Sequence, residues 1–163
     1  MDLEVWVPLE DFPGYSISNH GRVQNDRFGK LRTISRHGGY ATVSFYIHKR
    51  IIHRTLAHLV AREFVDRPRE NFDTPIHLDG DKYNCRADNL MWRPKWFAMR
   101  HTEQFRKDLP KETLPLRNIH TGEEYGNVWQ LVMHRGVIFN DVVLSISNRT
   151  YVFPLYQSFE WIA

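Results

Sequence analysis

Apolar and polar positions change their period several times along these 163 residues. Trp6 and Leu9, then Phe12-Pro13-Gly14-Tyr15-Ser16-Ile17-Ser18-Asn19-His20-Gly21-Arg22-Val23, alternate aromatic or aliphatic with small polar residues between two turn signals, which predicts a short strand between turns. Residues 40–47 place Val43, Phe45 and Ile47 on one side and Thr42, Ser44 and Tyr46 on the other, a period of two that predicts a half-buried strand. A hairpin continues it through Lys49-Arg50 into Ile51-Ile52-His53. From Arg54 the period becomes helical, with Leu56, Leu59, Val60 and Phe64 on one stripe and Pro68 as the stop. Past a polar loop, Pro75-Ile76-His77-Leu78 predicts a strand, Asp79-Gly80-Asp81-Lys82 a type I′ or related hairpin turn, and Asn89-Leu90-Met91-Trp92 the return strand. Lys95 to Lys107 suits a helix that packs Trp96, Met99 and Phe105 and points Arg100, Arg106 and Lys107 outward.

Pro110 and Pro115 punctuate a linker. Beyond it the pattern predicts a strand at 116–120, a turn at 121–124, helices at 128–134 and 139–147 parted by Arg135-Gly136, and a closing strand within 151–162 broken by Pro154. The expected fold class is α+β: a small N-terminal β-sheet module (1–50), a strand-strand-helix core (51–109) and a helix-turn-helix-like module (110–163).

Composition narrows the chemistry. The single cysteine, Cys85, excludes an internal disulfide and a Cys-rich zinc site, so a metal would need oxygen or imidazole ligands. No apolar run approaches the roughly 20 residues that span a bilayer, and the start, MDLEVWVPLED, is acidic, so a cytoplasmic chain without membrane contact is expected. Residues 1–111 hold 19 of the 22 Lys and Arg against 14 acids, and 112–163 hold three against five. Within the basic part Arg22, Arg27, Lys30, Arg32, Arg36, Lys49, Arg50 and Arg54 interleave with Tyr40, Phe45 and Tyr46, as in a surface that tracks a nucleic-acid backbone, and Arg100 adds to it from the later helix. A solvated sheet face would carry the same pattern, and charge alone does not choose between them.

The stretch from Trp6 through Phe12-Pro13-Gly14-Tyr15 to Gly21-Arg22-Val23 resembles the N-terminal DNA-binding module that accompanies HNH homing endonucleases, many of them phage or intron encoded. His53-Arg54-x-x-Ala57 running to Phe64, then His77-Leu78-Asp79-Gly80-Asp81-Lys82-x-Asn84 and Asn89-Leu90-x-Trp92, resembles the HNH core of that family. The resemblance implies a ββα-metal core, duplex DNA as partner, a phage-infected bacterial cell as setting, and Mg²⁺ if nuclease activity is retained. Cleaving a phosphodiester needs a base for water, and His77 suits it because imidazole titrates near neutral pH. The family pattern gives Asn89 the task of holding one ring nitrogen; read from the residues alone, Asn89 is a strand-end residue that satisfies backbone groups. Asp79 and Asp81 are expected to shape the turn. His53 and His58 are expected to be structural, while Arg54 fits phosphate contact and helix capping equally.

Two positions depart from the family. Where it places an Asp or Asn metal ligand before the histidine stands Ile76, and where the following helix supplies a second ligand stands Ala98, so no metal ligand is assigned; Asp73 and His101 are the candidate substitutes. The expectation is therefore an HNH-like duplex-DNA-binding protein with weakened or lost cleavage. An active Mg²⁺-dependent nickase, and a fold recruited to bind a protein such as a polymerase or host factor through 112–163, are the alternatives.

Overall fold

The computed structural model describes residues 3–162, a mixed α/β chain that compacts as two units, 1–95 and 96–163. In the first unit, β1 (Trp6–Pro8), β2 (Tyr15–Ser18), β3 (Val23–Asn25) and β4 (Lys30–Leu31) form an antiparallel meander. A second antiparallel sheet joins β5 (Ser35–His37), β6 (Tyr40–Ile47) and β7 (Arg50–Thr55). Their shared core is aromatic: Phe12 stacks on Phe45 at 4.0 Å, and Tyr15 meets the same ring edge-on at 5.1 Å. The period of two in β6 holds, with its buried row at Ala41, Val43 and Phe45. Ile47 is only half-buried, because it sits at the hairpin end opposite Arg50.

Helix α1 (Leu56–Phe64) follows β7 directly and buries Leu56, Leu59 and Val60 with the two alanines Ala57 and Ala61, whose small side chains let it lie against β6. It stops before the expected Pro68, because Val65 is already extended. Strands β8 (Thr74–His77) and β9 (Leu90–Arg93) pair antiparallel and touch α1.

Helix α2 (Lys95–Gln104) opens the second unit. It packs by a face other than the one expected: Phe97, Ala98, His101 and Gln104 are buried, while Trp96 and Met99 are exposed by 54% and 60%. Gln104 explains the rotation. Its amide Nε2 donates to the Val137 carbonyl at 3.2 Å, in the turn after α3 (Val128–Arg135), and its Oε1 accepts the Phe139 N–H at 2.8 Å, at the start of α4 (Phe139–Asn148). These helices lie on a three-stranded sheet of β10 (Leu116–Asn118), β11 (Glu124–Tyr125) and β12 (Phe159–Trp161), around a core that includes Leu116, Leu131, Val142 and Phe159. Asn127 caps α3, and Gly136 ends it in the left-handed conformation at φ 57°. The closing strand is shorter than expected: Val152 to Gln157 close on themselves as an isolated bridge, leaving only 159–161 to pair.

Candidate functional site

His77 is the last residue of β8, paired with Leu90 across the ladder. The twelve residues between the strands do not form the tight hairpin expected; they form a broad loop held from inside by side chains. Asp79 Oδ1 accepts the Asp81 N–H at 2.8 Å, Asp81 Oδ1 accepts the Tyr83 N–H at 2.9 Å, and Asp79 Oδ2 accepts from Asn84 Nδ2 at 2.7 Å. Both carboxylates, though exposed, therefore shape the chain. Asn89 closes the loop. Its Oδ1 accepts the Asp79 N–H at 3.1 Å, and its Nδ2 donates to Asp79 Oδ1 at 2.9 Å and the Asn84 carbonyl at 2.8 Å. Both amide hydrogens are thus used by the loop, and the hydrogen bonds described for Asn89 do not include the His77 ring.

What meets that ring is a residue the sequence reading used only to exclude an internal disulfide and a Cys-rich zinc site. Cys85 Sγ lies 3.8 Å from His77 Nε2, and both side chains are buried. Burial pushes the His77 imidazole below its ordinary value, against the pull of Asp79 and Asp81 in the other direction. Burial likewise pushes the Cys85 thiol up to about 12. The pair is neutral near pH 7. The one available signal was an apolar-sized thiol, eight residues after His77, inside an otherwise polar loop.

The residues present do not fit a hard divalent cation. Ile76 and Ala98 are buried, at 2% and 6% exposure, and neither carries an oxygen or nitrogen donor on its side chain. Asp73 accepts a hydrogen bond from Thr74 Oγ1 at 2.9 Å, and His101 belongs to the second unit, where its ring packs against Phe97 and Phe105. Among the described residues no group of three His, Cys, Asp or Glu side chains could hold a metal.

The basic residues fall into distinct settings. Arg22 is bound by Glu4, with Nε 2.8 Å from Oε1, and this contact holds the Glu4 carboxyl down at about 2. Arg100 is bound by Asp141 at 2.7 Å within the second unit. Arg36 and Lys82 lie over the Tyr83 and Tyr40 rings, each at 4.2 Å, lacing the β5–β6 hairpin to the loop after His77. Arg27 covers Phe28, Arg54 covers Phe12, and Arg32 donates to the Ser44 carbonyl at 3.0 Å. Lys30, Lys49 and Arg50 are exposed on β4 and the β6–β7 turn. The sheet of β5–β7 carries a groove of about 260 Å³ lined by Ser35, Arg36, His37, Thr42, Ser44 and His53. Ser44 Oγ and His53 Nδ1 share a hydrogen bond of 2.8 Å across it. Among the described residues, no helix is long and apolar enough to cross a membrane.

Comparison with known proteins adds a lineage to this geometry. The NUMOD4 motif matches residues 4–46. Over 95 residues the chain is 37% identical to an uncharacterised HNH endonuclease of Acanthamoeba polyphaga mimivirus, covering 55% of this chain and 23% of that protein. It is also 34% identical over 95 residues to the H-N-H endonuclease F-TflII of Escherichia phage T5, covering 56% of this chain and 48% of the phage protein. The matches therefore span less than half of either relative's length. A solved structure described as DNA binding and cleavage by the HNH homing endonuclease I-HmuI aligns with a TM-score of 0.54 over 97% of this chain and 98% of that one, at 19% identity, a likeness of fold.

Proposed function

We propose that the chain is a member of the HNH homing endonuclease family, and that it binds duplex DNA while its phosphodiester cleavage is weakened or lost. In this reading residues 1–50 track the backbone, 51–109 bring the loop after His77 to it, and 110–163 add little affinity, because their five acids outnumber their four bases. Lys30, Lys49 and Arg50 supply exposed cations, and the groove between Ser35 and His53 offers neutral donors and acceptors of the kind that meet base edges. The relatives from a giant virus and a phage support an infected cell as the setting.

One observation carries the loss of cleavage. The candidate base His77 is kept, whereas the two positions where the family holds its cation are the buried side chains Ile76 and Ala98. The test is plasmid nicking and DNA retention with and without Mg²⁺. Wild-type protein is expected to retain DNA, increasingly weakly as salt rises, and to nick none of it. Ile76→Asp with Ala98→Asn restores a carboxylate and an amide oxygen, so metal-dependent nicking is expected to appear and to vanish with His77→Ala. Wild-type protein that nicks in Mg²⁺, and loses that activity with His77→Ala, would overturn the reading.

A further inference from the structure

We propose that Cys85 is a positioning residue for His77: its sulfur accepts the Nε2 hydrogen, which leaves the lone pair of the imidazole on Nδ1. This rests on the family reading only in treating His77 as a candidate base; the contact itself stands on geometry. A neutral imidazole has one donor and one acceptor nitrogen, and the neighbour of one nitrogen decides the state of the other. Cys85 Sγ is that neighbour, at 3.8 Å from Nε2. The direction follows from where the thiol hydrogen goes. Sγ also lies 3.9 Å from the Lys82 carbonyl, an oxygen that only accepts, so the S–H is directed there. The sulfur lone pairs then face the remaining neighbour, the His77 ring. The chain of donors runs from Nε2–H to sulfur and from S–H to the Lys82 oxygen.

The sulfur is fixed in place from both sides. The Ala87 N–H donates to the Asn19 carbonyl at 2.8 Å, tying the Cys85 loop to the turn after β2. In that turn Gly21, at φ +75°, packs so closely that a Cβ there would lie 2.8 Å from the Cys85 carbonyl oxygen. Asn89 is already used by the loop, so Cys85 takes over the task of orienting the ring that the family pattern gives to an asparagine. The high thiol value keeps the hydrogen on sulfur throughout the neutral range.

Nitrogen-15 spectra of the full chain, with the histidine rings labelled and His77 assigned through His77→Gln, test this near pH 7.5. Wild type should show a protonated, pyrrole-type Nε2 and an unprotonated, pyridine-type Nδ1. Cys85→Ser, with a shorter donor-acceptor of the same kind, should keep that pattern, whereas Cys85→Ala should move both signals towards each other as the second tautomer becomes populated. A wild-type ring protonated on Nδ1 would overturn the proposal even if neither variant folded. So would a folded Cys85→Ala with unchanged ring signals. Retention of the variants on duplex DNA is read separately: loss of retention in wild type would count against the family reading and leave the tautomer assignment untouched.

Discussion

Asp79 and Asn89 are joined twice, the Asp79 N–H donating to Asn89 Oδ1 at 3.1 Å and Asn89 Nδ2 donating back to Asp79 Oδ1 at 2.9 Å. Asn89→Ala breaks this clasp and also orphans the Asn84 carbonyl, so a cost of about 2–3 kcal/mol is expected. Asn89→Asp keeps the acceptor but sets a second carboxylate against Asp79, and should cost at least as much. Urea midpoints at constant m check both, and an unchanged midpoint would show that the loop holds without the clasp.

Gly21 and Gly29 both have positive φ, at +75° and +61°, yet only Gly21 is crowded. Gly29→Ala should cost about 1 kcal/mol, the ordinary strain of a left-handed Ala. Gly21→Ala adds the clash with the Cys85 carbonyl and should cost about 2 kcal/mol more, since backbone is the neighbour that must yield. Thermal unfolding of the two variants side by side measures the difference.

His77 and His58 both have values lowered by burial. The folded state therefore binds fewer protons than the unfolded state, in which histidine titrates near its ordinary 6.5. From about pH 7 to 8 these histidines leave stability flat, and it should fall as pH drops through 6.5 toward the lowered folded values. His77→Gln removes one of these groups and should flatten the decline between pH 7 and 5. A wild-type stability that increases as pH falls from 7 to 5 would contradict the assignment. The Glu4 contact acts lower: its contribution is present above 4.5 and is lost as pH falls toward about 2.

If Lys49 and Arg50 meet phosphate, each Ala substitution should reduce the slope of log affinity against log salt by about 1. Arg22 and Arg100 are already occupied by Glu4 and Asp141, so their Ala variants should change affinity by less than about twofold, below ~0.5 kcal/mol. Equal losses at all four positions would show that the carboxylates release their partners on DNA.

The sequence was most legible where one neighbour in the chain decides the outcome. The buried row Val43 and Phe45, the stripe Leu56, Leu59 and Val60, and the two C-terminal helices follow from periodicity. The face of α2 was not legible, since Gln104 is polar and is buried only because the turn at 137–139 needs its amide. Nor was the contact between His77 and Cys85, which depends on the path of a twelve-residue loop. The loop carboxylates were read correctly from turn chemistry; Asn89 follows the residue-level reading, and the amide-to-ring contact of the family pattern is not among its described hydrogen bonds.

The amide of Gln104 also bears on how such genes can exchange parts. A crossover at the prolines near 110 would leave α2 behind with the wrong companion, its amide deprived of the Val137 carbonyl and the Phe139 N–H that it serves. A crossover just before Lys95 would carry the helix and its receptor together. Ancestral shuffling between chains of this fold should therefore leave its seams ahead of α2, and chimaeras joined there should express as folded protein where chimaeras joined at Pro110 do not.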